Sequence, residues 1–210
     1  MKIAVIACET FRQELDKVLG DDPDIIYKEY VEFGLHEYPQ ELKAAIIEKV
    51  NAWEGKADAV LLGYGICQSL KDIEKELRVP TIKLPADDCI GVLLTPEEYA
   101  RERKICAGTM FATPFFADWG KEYFEKDMKR KMKTDTLDFD IDYILGLLFN
   151  GYERVLFVDT GVGDRDELLA KSKRFAADLK LRHESREGTL EVLRESWNKV
   201  KEQGSKQQVC

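Results

Sequence analysis

Apolar residues fall along this chain in short continuous runs, separated by longer stretches in which they recur at helical spacing. Residues 3–7 form an apolar run of strand length, and Phe11, Leu15, Val18 and Leu19 follow on one helix face. The unit repeats. A strand is predicted over residues 24–31, and the helix after it begins near Pro39, a residue tolerated in a first turn, with Leu42, Ala45, Ile46 and Val50 as its apolar stripe. Residues 59–62 read as a buried central strand, 63–67 as its exit loop, 69–77 as a helix and 79–84 as the next strand. Late in the chain the rhythm resumes with a strand over 152–158, a loop over 159–163 and a helix through Leu168, Leu169 and Phe175. A short strand near Leu181 and a last helix bearing Leu190, Leu193 and Trp197 complete it.

Parallel neighbours need crossover connections, and alternating helices supply them. The predicted fold is therefore α/β: a doubly wound, mainly parallel, Rossmann-like sheet that takes in strands near Ile3, Ile25, Val60, Ile82 and Val155. The stretch over about 95–150 breaks the rhythm. It holds Phe111, Phe115, Phe116, Trp119, Tyr123 and Phe124 beside the basic run 129–133, and reads as a helical insertion or lid. A core stripe is the plainer account of these aromatics, and a solvated face that of the lysines. The expected organisation is a single α/β domain over 1–202 with that insertion, followed by a frayed tail over 203–210.

Composition narrows the function. A chain of 210 residues with 44% hydrophobic content buries one substantial core, and a formal charge of -8 argues against a surface built to neutralise a phosphate backbone. No nucleic-acid partner is expected. The apolar stretches are too short or too polar to span a bilayer, and the N-terminal run lacks the length and cleavage signal of a secretory peptide. The expectation is a cytoplasmic protein without a membrane partner, whose five cysteines are thiols or ligands before they are disulfides.

Cys8, Cys67 and Cys89 each sit where a predicted strand hands over to a helix. Parallel strands point their carboxyl ends one way, so topology alone predicts that these three gather at one sheet edge. A helix N-terminus is also expected to favour the thiolate, the form that binds metals. Three thiolates suit zinc with a further ligand, or an iron-sulfur cluster with one open iron. Of the two histidines, His36 follows the second strand and is the candidate fourth ligand or acid-base group; His183 is the weaker candidate. Taken singly, each cysteine is better explained as a small buried hydrophobe than as a ligand, and Cys106 and Cys210 are read that way.

Asp87 and Asp88, immediately before Cys89, are candidate acid-base groups, with solvation or helix capping as the plainer account. Gly63 and Gly65 are candidate cofactor-binding positions because they permit close approach of backbone N–H groups, and Gly161 with Gly163 offer the same; ordinary turns are the plainer account. No dinucleotide or P-loop fingerprint is present.

At residues 6–9, 35–39, 62–67 and 88–90 (Ile-Ala-Cys-Glu, Leu-His-Glu-Tyr-Pro, Leu-Gly-Tyr-Gly-Ile-Cys and Asp-Cys-Ile) the chain resembles the family catalogued as domain of unknown function 1638. The resemblance marks Cys8, His36, Cys67 and Cys89 as its recurrent polar positions, and departs from the family pattern at Gln68, Ser69 and Asp87. It implies a place in anaerobic one-carbon or methyl-transfer metabolism, since members often neighbour genes for corrinoid-dependent methyl transfer. Three functions follow as expectations: a metal or iron-sulfur protein acting on a small-molecule ligand, a non-catalytic accessory of a corrinoid-system protein, or a metal-free thiol enzyme with Cys67 as nucleophile near His36.

Overall fold

A computed structural model describes residues 1–65, 70–117, 119–133 and 140–207. The chain order is β1 (Ile3–Cys8), α1 (Arg12–Leu19), β2 (Ile25–Val31), α2 (Pro39–Asn51), β3 (Ala59–Gly63), β4 (Thr81–Lys83), α3 (Cys89–Leu94) and α4 (Pro96–Ile105). It continues with β5 (Thr109–Ala112), α5 (Pro114–Ala117), α6 (Lys121–Met132), α7 (Ile141–Leu148), β6 (Arg154–Asp159), α8 (Arg165–Asp178), β7 (Arg182–Glu187) and α9 (Glu191–Gln207). The elements form two mainly parallel sheets flanked by helices, an α/β architecture of the doubly wound kind.

Two compact units divide the chain, the first comprising 1–96 with 189–210 and the second 97–188. In the first, the strands lie in the order β2-β1-β3-β4, all parallel. Every residue of β1 and β3 is buried, as continuous apolar runs require when helices cover a parallel sheet. Leu193, Trp197 and Val200 of α9 are buried too, and Lys201 ties this helix to Asp22 and Asp24 at 2.8 and 3.0 Å. Because β2 lies on one side of β1 and β3 on the other, the order reverses between β1 and β3, and such a reversal opens a crevice at the strands' carboxyl ends.

The second unit is a sheet of order β5-β6-β7, also parallel. Its anchor is Arg154 at the start of β6, with a fully buried guanidinium: Nη2 donates to Glu102 Oε2 at 2.7 Å, Nη1 to Glu184 Oε2 at 2.6 Å and Nε to Thr109 Oγ1 at 2.8 Å.

Four expectations need correction. The strand near Val155 does not extend the first sheet but lies at the centre of a second one. The stretch over 95–150 is not purely helical, since β5 lies within it and pairs with β6. In place of an α-helix over 69–77, the described part of that stretch includes a 3₁₀ turn at Ile73–Lys75, preceded by Asp72 in the left-handed region with φ 58°. Finally, α9 continues to Gln207, where fraying was expected from 203.

Candidate functional site

Cys8 is the last residue of β1 and is buried, at the point where the strand order reverses. Its neighbours in register are Val31 on β2 and, through Ala7, Gly63 on β3. His36 arrives from β2 on a 3₁₀ turn, Phe33–Glu37. That turn is fastened to the end of β1 by the Phe33 backbone N–H, which donates to Glu9 Oε1 at 2.5 Å. The imidazole stacks with two aromatic rings, its centroid 5.2 Å from that of Phe33 and 5.8 Å from that of Tyr64. The outcome is a sulfur–imidazole pair: His36 Nε2 lies 3.5 Å from Cys8 Sγ.

Cys89 enters from a third direction, as the first residue of α3. The loop before it is clamped to the exit of β3. A methyl group on Gly65 would meet the Ala86 carbonyl oxygen at 2.5 Å and Asp88 N at 3.2 Å, and the Leu84 N–H donates to the Tyr64 carbonyl at 3.1 Å. Gly63 serves a similar end, since a methyl there would collide with Ala7 on β1. Neither glycine has a positive φ. They are positions of close approach between backbones rather than turn glycines, and this packing holds the loops that carry Cys8 and Cys89 to one edge.

The two aspartates differ in setting. Asp87 is exposed. Asp88 caps α3, its Oδ1 accepting from the Ile90 and Gly91 N–H groups at 3.0 Å each. That cap overturns one sequence expectation. At Cys89, burial first, then the Asp88 carboxylate and nearby Cys8, push the thiol pKa up instead of down. The helix is only six residues long and its free N–H groups are already satisfied by a carboxylate, so little positive potential remains for a thiolate. His36 is shifted the other way, burial holding its pKa below the ordinary histidine value; it is the neutral imidazole at pH 7, the state a ligand requires.

Cys67 falls outside the described residues, as does Cys210. Cys106 is buried in the second unit, where its carbonyl accepts from Thr109 Oγ1 at 2.6 Å. His183 also lies there, with Nε2 3.1 Å from Ser172 Oγ. Among the described residues, no group of three or more His, Cys, Asp and Glu side chains is placed to hold a metal ion. The sequence expectation set His36 beside Cys8, Cys67 and Cys89 together; the described sulfur beside the ring is that of Cys8.

Sequence reasoning passed over Glu9, Phe33 and Tyr64. All stand beside motif residues already singled out, but their work is to fix the imidazole, which shows only once β1, β2 and β3 are adjacent. Thr10 was also missed. Its hydroxyl, two residues beyond Cys8 and 3% exposed, has no hydrogen-bond partner among the described residues.

A comparison with curated proteins finds no match. The family described as a protein of unknown function, DUF1638, matches residues 30–197, which takes in His36, Cys67 and Cys89 and leaves Cys8 just upstream. The match covers well over half of the 210 residues, and the chain belongs to that family.

Proposed function

We propose that the edge formed by Cys8, His36 and Cys89, completed by Cys67, is a metal site of the zinc type. The observation that carries this reading is the Cys8–His36 pair. Two ligands of a tetrahedral zinc, one sulfur and one nitrogen, stand about 3.6 Å apart when the metal–ligand distances have their usual values; the pair lies at 3.5 Å. The donor set agrees. Soft sulfur with one imidazole is a zinc combination, whereas iron-sulfur clusters take cysteines alone or, in Rieske centres, a pair of histidines. A neutral His36 offers a lone pair without first losing a proton.

With such a metal bound, the four ligands would fill a tetrahedral zinc, and exchange of one of them for a thiol or a methyl-group carrier would open the position that Lewis-acid chemistry requires. The chain's own part is to hold the ligands. Glu9 positions the turn that carries His36, Phe33 and Tyr64 fix the plane of the ring, and the Gly65 contact sets the Cys89 loop. The resemblance to a family whose members often neighbour corrinoid methyl-transfer genes supports a role in anaerobic one-carbon metabolism, with a small-molecule ligand or a corrinoid-system protein as the proposed partner.

The test is elemental analysis after anaerobic purification and reconstitution. Near-stoichiometric zinc is expected in the unaltered chain and in Cys106→Ser, with loss of most of it in Cys8→Ser, His36→Ala and Cys89→Ser. Metal content that is the same in all of these variants would refute the site. A metal-free chain in which Cys8 alone is alkylated rapidly, and more slowly in His36→Ala, would favour the thiol-enzyme reading, which the same 3.5 Å contact permits.

A further inference from the structure

The second unit contains a cavity of about 680 Å³, within the range that small-molecule ligands occupy. One wall is aromatic: Trp119 and Tyr123 stack with ring centroids 4.2 Å apart and planes 12° from parallel, and buried Phe175 also lines the cavity. Several lining charges are neutralised by partners outside the cavity. Lys121 pairs with Asp142 at 2.6 Å, Lys171 with Glu167 at 2.7 Å and Glu125 with Lys129 at 2.7 Å. Four remain without an ion-pair partner among the described residues. Arg174 and Lys126 are cations that recognise a phosphoryl or carboxylate group; Glu122 and Asp178 are carboxylates that accept N–H donors.

A π-face, an anion receptor and an acceptor of N–H groups together describe one class of ligand. We propose that this cavity binds a purine nucleoside monophosphate, the base stacked on the Trp119–Tyr123 wall, the phosphate on Arg174 and Lys126, and the amino edge of the base facing Glu122 or Asp178. The surrounding field favours it. The lining carries Lys121, Lys126, Lys171 and Arg174 against Glu122, Glu125 and Asp178, a small positive excess in a chain whose net charge is -8, so the cavity favours anions that the rest of the surface repels. The proposal is independent of the Cys8–His36 site, which belongs to the other unit.

The experiment is isothermal titration of the full chain with AMP and GMP, and with adenosine and ribose 5-phosphate as separate arms. One saturable site for AMP or GMP is expected, weakened about tenfold by Trp119→Ala and by Arg174→Ala, the latter an exposed side chain whose removal leaves the fold intact. Lys173→Ala, on the same helix outside the cavity, should bind as the unaltered chain does. Three results would each overturn the assignment: no saturable binding at millimolar nucleotide, ribose 5-phosphate binding as tightly as AMP, or Arg174→Ala binding unchanged.

Discussion

A single hydrogen atom at position 65 decides how the candidate site is assembled. Any side chain there meets the backbone of residues 86–88, and a backbone oxygen cannot swing aside as a flexible side chain would. Gly65→Ala is therefore expected to destabilise the fold by about 1–3 kcal/mol through overpacking and to shift the loop that delivers Cys89. Gly34→Ala is the control. It stands two residues from His36, has open space around its Cα and lacks a positive φ, so its urea midpoint should stay near that of the unaltered chain. Equal midpoints for the two variants would show that the Gly65 contact does not constrain the loop. The sequence marked both Gly63 and Gly65, but as anion cradles or turns. What it could not express is that each faces a backbone from a distant part of the chain.

Elements of the first unit were the more legible, because β1 and β3 are unbroken apolar runs and α1 and α2 carry clear apolar stripes. In the second unit only β6 showed as an apolar run. Residues 109–112 lie among aromatics that suggest helix, and β7 is Arg-His-Glu-Ser-Arg-Glu, without an apolar run, because it is an edge strand. Part of that polarity is explained by Glu184, which with Glu102 satisfies the buried Arg154. Removing one partner of a buried ion pair leaves the other charge stranded. Arg154→Ala should cost about 3–5 kcal/mol of stability by urea denaturation, with Glu102→Gln a smaller loss, since its amide still accepts from the guanidinium. A loss below about 1 kcal/mol for Arg154→Ala would mean that water replaces the guanidinium and that β6 is held by its apolar residues alone.

At the scale of the whole molecule, alternation along the chain foretold parallel strands with helical crossovers but not their division between two sheets. Periodicity reports which residues are buried; it carries no information about which strands pair. Topology led to the expectation of Cys8, His36, Cys67 and Cys89 at one sheet edge; which sulfur meets the imidazole depended on side-chain packing, and His36 lies beside Cys8. The acidic balance argues against duplex nucleic acid, and no helix among the described residues is long and apolar enough to cross a membrane. The claim on which the functional account rests is that the Cys8–His36 pair is half of a metal-binding set. Zinc K-edge X-ray absorption on the anaerobically reconstituted chain tests it most directly. The account predicts a mixed shell with sulfur at about 2.3 Å and nitrogen at about 2.0–2.1 Å, losing sulfur in Cys8→Ser and imidazole scattering in His36→Ala. A shell of oxygen alone, or a spectrum identical in those variants, would contradict it.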